Sequence, residues 1–396
     1  MTDVPEIDLT DPAVQRDPFT VYGAARELSP VARLTGAGFG PYWVVTRHEE
    51  ARAMLGDPRL EINTGSFMRP DVPEDCVPYM RSMAEMTGPE HARLRRLVAP
   101  AFTPRKAAAF GSRMEAIVDR LLDELPERTE PDGSVDLLAH FAKPLPIEVI
   151  CELVGIPDAD RPRWREYGAA VLTGHGQAFA DAIPAIIDGA KAAVAQAERG
   201  GALVSDLVRV MEEDGDRLDD AELVTMIWTL VLAGQTPTNL IANALVTLFA
   251  HPDQLAALRD DPALMPRAVE ELIRWCGPAL LTVPRFPRED LEIGGVAIGK
   301  GEPVSASMAA VNRDPRVFDA PDTFDITREQ AVPHLGFSHG PHFCVGASLA
   351  RVQTGVAIGA VLRRFPGLAL AAEAPYLMDP GTLRLASLPV HTRRAG

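Results

Sequence analysis

Apolar residues recur at helical spacing along most of this chain. Phe110, Met114, Ile117, Val118, Leu121 and Leu122 fall every three or four positions and predict a helix over 104–125, opened by Pro104. Asp219 followed by Glu222 forms a capping-box pattern and starts a long helix over about 218–250. Pro252 and Pro266 sit where first helical residues are favoured, and open helices over about 252–259 and 266–275. A last helix covers about 346–364 and stops at Pro366-Gly367. Strand patterns are few: 42–46, a hairpin over 290–298 turning at Gly294-Gly295, and 304–308. The stretch 311–343 is rich in proline and keeps neither period, and long irregular segments in compact folds usually carry function. The pattern predicts a fold that is mainly α with small β-sheets. No linker or repeat divides it, so one domain over 1–396 is expected.

Composition narrows the function. The 396 residues carry a formal net charge of −16, which argues against nucleic acid as a partner. The first residues are acidic and lack the basic and apolar regions of a signal peptide. No apolar run reaches the roughly 18 residues of a membrane span, so a soluble, cytoplasmic protein is expected. Four cysteines are widely spaced (Cys76, Cys151, Cys276 and Cys344) with no CxxC pair, so neither a zinc site nor a disulfide framework is indicated.

Cys344 has distinctive neighbours. The irregular stretch ends in Phe337-Ser338-His339-Gly340-Pro341-His342-Phe343-Cys344-Val345-Gly346. A metal-ligating thiolate needs N–H groups aimed at its sulfur and gains from lying just before a helix N-terminus. Cys344 precedes the helix at 346–364. Gly340 and Gly346 let the backbone pass close to a flat ligand, Phe337 can shield the sulfur, and His342 offers a cation to a ligand bearing carboxylates. A buried structural cysteine in a Gly-rich turn is the plainer alternative. The segment, however, resembles the haem-binding loop of the cytochromes P-450, F-x-x-G-x-x-x-C-x-G, in which the cysteine is the proximal ligand of the haem iron.

That resemblance covers roughly 10–390 and implies a cytochrome P-450 fold, a large helical domain with a β-rich corner. Glu271-Leu272-Ile273-Arg274 matches the family's E-x-x-R, whose two charges share a helix face. The family's third partner is an Arg where this chain has Thr323, leaving Arg313, Arg316 or Arg328 to take the part. His91 and Arg95, one helical turn apart, resemble the propionate-binding helix, and Arg285 and His342 complete the implied cradle. Arg93 and Arg96 on the same segment read as a solvated basic stripe.

The long helix usually carries A-G-x-(Asp/Glu)-Thr-Thr. Here it reads Ala233-Gly234-Gln235-Thr236-Pro237-Thr238, so the acid is missing and the oxygen-activating alcohol falls to Thr236 or Thr238. Pro237 has no N–H and is expected to kink the helix and free the Ala233 carbonyl; a packing kink without catalytic meaning is the alternative.

The resemblance implies a monooxygenase with haem b (iron protoporphyrin IX) on Cys344. It implies O2 as co-substrate and electrons from NAD(P)H through a separate ferredoxin or flavodoxin with its reductase. The donor would dock on a basic patch drawn from Arg93, Arg96, Arg105, Lys106 and Arg351. By family position, substrate contacts come from Phe67, Met68, Met80, Met83 and Met86, from Leu230 with Ala233 and Gly234, from Leu280, Leu281 and Val283, and from Thr382 and Leu383. The general resemblance is to actinobacterial enzymes that hydroxylate or epoxidise polyketides and macrolides. The altered helix keeps open oxidative coupling, ring formation or a peroxide-driven reaction. A non-catalytic haem-bearing binding protein is the remaining alternative.

Overall fold

In the computed structural model the strands are short and form four small sheets, and helices make up most of the regular structure. The structure describes residues 4–36, 41–67, 70–172, 177–196, 203–205, 207, 208, 218–329 and 332–392. Strands Glu6–Asp8, Val31–Thr35, Tyr42–Val45 and Val304–Ala306 form one sheet in that order, joined by parallel, antiparallel and parallel pairings. The expected strands near 42 and 304 are therefore neighbours, with Trp43 opposite Val304. The expected hairpin pairs Leu291–Ile293 with Val296–Ile298. Gly294 and Gly295 take φ of 58° and 84°, the left-handed pair that a tight primed turn requires.

Two of the expected helices are each broken in two. The segment 104–125 is Pro104–Ala109 followed by Gly111–Glu124. The Phe110 N–H is shared between the Lys106 and Ala107 carbonyls, so the first helix tightens and ends there. The segment 218–250 is Asp220–Ala233 followed by Pro237–Ala250. Its capping box forms in both directions between Asp219 and Glu222, and Pro237 opens the second half. Helices Pro252–Asp260, Met265–Cys276 and Ala347–Arg364 lie where the pattern puts them. Beyond Val311 the irregular stretch holds, among its described residues, only the tight turn Gly340–His342.

Helix Ala347–Arg364 packs against Gly111–Glu124, Pro237–Ala250 and Met265–Cys276, while Asp220–Ala233 packs on Gln177–Gln196 and Pro144–Val154. The largest apolar cluster runs through these helices, including Met114, Leu121, Ile150, Ile187, Ile227 and Val361. The loop that ends in Cys344 thus enters a helix wedged into the bundle. Among the described residues no helix is long and apolar enough to cross a membrane.

Candidate active site

The cysteine loop is fixed by its own backbone. Ser338 N–H donates to Leu335 O at 2.8 Å, Phe343 N–H to Gly340 O at 3.0 Å and Cys344 N–H to Phe337 O at 2.9 Å. Ser338 and Gly340 both have left-handed φ, 64° and 73°. At 340 only glycine fits, because a Cβ would lie 2.7 Å from the Leu55 carbonyl oxygen. Cys344 is exposed while the other three cysteines are buried. Burial raises the thiol pKa; the Gly346 N–H aimed at the sulfur and the guanidiniums of Arg95 and Arg351 pull the other way without overcoming it. A thiol so placed ionises readily only against a metal cation.

Four basic side chains, His91, Arg95, Arg285 and His342, gather beside the cysteine loop, and the two arginines carry the charge. His91, on helix Gly88–Val98, stacks on His342 with ring centroids 4.1 Å apart. Arg285 donates to Leu55 O at 2.6 Å. Burial pushes His342 down to about 3, helped by His91, Arg285 and Arg95, and burial alone pushes Arg285 down to about 10. Burial also lowers His91 and Arg95. None of the four forms an ion pair among the described residues. Mutual repulsion and desolvation without a counter-charge are what a ligand with two carboxylates would relieve. An exposed thiol with two unpaired arginines and two imidazoles beside it fits a haem, by the chemistry of the donors. Arg93 departs from expectation: it is no solvated stripe but pairs with Glu222, tying its helix to the first turn of Asp220–Ala233.

The break in the long helix differs from a simple proline kink. The Ala233 carbonyl is not left free. It accepts from Thr236 N–H at 3.2 Å and from Thr236 Oγ1 at 3.0 Å, so the residue ahead of the proline reclaims it through a tighter turn. Ala233 and Thr236 are exposed on one side. Gly234 is forced by the close approach of Ile150, whose side chain would lie 2.8 Å from a Cβ. Gln235 and Thr238 are buried, and neither Gln235 Nε2 nor Thr238 Oγ1 has a hydrogen-bond partner. The Gln235 amide lies against Gly168, on helix Arg161–Leu172, away from the side that exposes Thr236.

Glu271 and Arg274 form a buried fork at 2.7 Å on both arms, and the third partner is Arg328, 3.2 Å from Glu271. Arg316 instead pairs with Glu27 and Asp314. Arg313 stacks between the rings of Phe19 and Trp275 at 4.0 and 3.9 Å. Sequence reasoning missed Glu270, next to the fork. It grips Arg351 at 2.5 and 3.1 Å and lies 3.3 Å from His334 Nε2. Arg351 in turn sits 4.6 Å over the half-buried Phe337 ring. Burial opposes ionisation of Glu270, but His334 and Arg351 outweigh it and hold the carboxyl down at about 2. Because the folded value is depressed, its contribution to stability is complete above the unfolded value near 4.5 and is lost as pH falls toward about 2. Glu270→Gln is therefore expected to flatten the acid limb of urea midpoints measured from pH 5 to 3. Parallel limbs for the two proteins would refute this.

The expected substrate contacts fall into two groups, and Leu280, Thr382 and Leu383 line one pocket. Met86 and Leu230 belong to the main core, and Leu280 and Leu383 to a second core beneath the N-terminal helices. Leu281 and Thr382 are half-buried, Val283 is exposed, and Phe67, Met80 and Met83 are half-buried in the segment before helix Gly88–Val98. Met68 lies outside the described residues.

Comparison with known proteins agrees with this geometry. The family model described as Cytochrome P450 matches residues 171–389. Cytochrome P450 107B1 of Saccharopolyspora erythraea is 39% identical over 94% of this chain and 93% of its own length. Cytochrome P450 monooxygenase PikC of Streptomyces venezuelae is 39% identical over 96% of this chain and 92% of its own. Among solved structures, the cytochrome P450 PksS of the Bacillus subtilis 168 bacillaene polyketide synthase superposes with a TM-score of 0.88. It is 31% identical, covering 98% of this chain and 99% of the other.

Proposed function

The chain belongs to the cytochrome P450 family, and from that premise we propose that it hydroxylates or epoxidises a mid-sized lipophilic natural product of the polyketide or macrolide kind. Family membership makes it a haem monooxygenase that uses O2, redox partners and a lipophilic substrate. The observation that carries the site assignment is the exposed Cys344 thiol beside two arginines and two histidines with no carboxylate partner among the described residues. When bound, the haem iron supplies oxygen activation and insertion. In this proposal the group is haem b. Cys344 Sγ is its ligand and Gly346 N–H tempers the charge on that sulfur. Phe337 with Arg351 screens the thiolate side, and His91, Arg95, Arg285 and His342 hold the two propionates. Thr236, exposed one helical turn from Ala233, holds a proton at Oγ1 on the substrate side. Val283 and Leu281, on the segment leading to Arg285, border the substrate. The 396 residues act as one cytoplasmic domain.

The substrate class draws on the relatives. PikC is a cytochrome P450 monooxygenase, and a mycinamicin IV hydroxylase/epoxidase of Micromonospora griseorubida is 38% identical over 90% of this chain. Titrating purified protein with macrolactones and with medium-chain fatty acids, while following the haem spin state, tests the class. A macrolactone should shift the spin state and gain one oxygen in turnover. A response to fatty acids alone would overturn it.

Electrons are proposed to come from NAD(P)H through a ferredoxin or flavodoxin. The docking patch is proposed to draw on Arg96, Arg105 and Lys106, all exposed, while Arg93 and Arg351 are half-buried. Reversing charge at Arg96 and Arg105 should slow reduction severalfold at low salt and flatten its salt dependence. Unchanged kinetics would sink that patch.

A further inference from the structure

Gln235, but not Thr236, lines a pocket of about 290 Å³ between helices Gly111–Glu124, Pro144–Val154 and Arg161–Leu172. Its walls include Leu121, Leu125 and Ile147, all buried. Gln235 lies at its inner end. That side chain is only 5% exposed, and its Nε2 donor has no partner. Glycine at 168 makes the placement possible, since a Cβ there would lie 2.2 Å from Gln235 Oε1. A buried amide donor left unbonded is costly, so a donor aimed into a pocket points to an acceptor that belongs there.

The mouth has the opposite character. Arg128 and Lys143 are exposed and form no ion pair among the described residues. His140 joins them from the turn Leu138–Ala142, a π-helical turn of the kind often found at functional sites. The other two lining arginines are already in ion pairs. Arg120 and Arg165 each lie 3.3 Å from buried Glu148, and Arg120 lies 3.1 Å from Glu124. Positive charge is therefore left over at the mouth, with apolar surface in the middle and one hydrogen-bond donor at the end.

We propose that this pocket binds a small organic carboxylate that carries an acceptor oxygen at its far end. The carboxylate pairs with Arg128 and Lys143, the short apolar body lies along Leu121, Leu125 and Ile147, and the acceptor meets Gln235 Nε2. The site is separate from the Cys344 centre and does not depend on the reading of that centre.

Calorimetric titration of the full-length holoprotein at fixed ionic strength tests it, with 5-oxohexanoate, hexanoate, acetate and inorganic phosphate as probes. The oxo acid should bind at least tenfold more tightly than acetate, because it buries more methylenes and meets the amide. Gln235→Leu should erase its advantage over hexanoate. Arg128→Gln with Lys143→Gln, both surface changes that leave the fold intact, should weaken both longer acids at least tenfold. Equal binding of phosphate, undiminished binding in the double variant, or binding that shifts the haem spin state and so belongs to the distal cavity would each overturn the proposal.

Discussion

Arg274→Ala is expected to cost the chain its fold and not merely its activity. Arg274 and Glu271 have side chains 0% and 1% exposed. Arg274 donates twice to Glu271, and also to the carbonyls of Asn312 at 2.9 Å and Pro321 at 2.8 Å. Arg328 reaches the same carboxylate and bonds the carbonyls of Asp319, Ala320 and Thr323. These guanidiniums are what organise a stretch with little secondary structure of its own, and that stretch leads into the Cys344 loop. Truncation leaves Glu271 under-compensated and several carbonyls unbonded. Removing one partner of a buried pair costs about 3–5 kcal/mol, a large share of the roughly 5–15 kcal/mol that holds a typical protein folded. Soluble yield, circular dichroism and a urea titration would measure it. Arg274→Lys should fall between, since an ammonium restores the charge without the fork. A wild-type urea midpoint in Arg274→Ala would contradict this account.

Thr236→Ala is expected to give the second large effect, through coupling of electrons to product. Thr236 Oγ1 is the exposed hydroxyl of the break and is already oriented by the Ala233 carbonyl, while Thr238 is buried among neighbouring helices. A positioned proton donor contributes about 10²–10⁴-fold. Thr236→Ala should therefore lower product per NAD(P)H at least tenfold and raise hydrogen peroxide release, with substrate affinity little changed. Thr236→Ser should keep most of the coupling, and Thr238→Ala should leave it near wild type. If Thr238→Ala uncouples turnover and Thr236→Ala does not, the roles are reversed. If neither does, the alcohol relay is wrong, and the coupling or peroxide-driven chemistries gain.

What could be read in advance was what short-range patterns encode. The capping box at Asp219-Glu222, the Gly294-Gly295 turn and the helix after Cys344 depend on local spacing, and all form. Cys344 stood out for the same reason, because the residues that shape its loop are its neighbours in sequence. Helix Pro144–Val154 gave no periodic signal because it is buried on nearly every face. The third partner of the Glu271–Arg274 fork was undecided because Arg313, Arg316 and Arg328 look alike in sequence; long-range packing alone gives two of them an aromatic stack and a surface pair. The proline at 237 correctly signalled a break. The rescue of the Ala233 carbonyl did not show, because it depends on how tightly the preceding turn winds. Local pattern does not separate core from cavity, since buried apolar residues such as Met86, Leu230 and Leu280 serve either.

The central claim is that Cys344 ligates haem iron as a thiolate within a cradle of two arginines and two histidines. The absorption spectrum of the dithionite-reduced protein under carbon monoxide tests it most directly. The account predicts a strongly red-shifted Soret band that disappears in Cys344→Ala. A band at the position of histidine-ligated haem, or a red-shifted band that survives in Cys344→Ala, would contradict it.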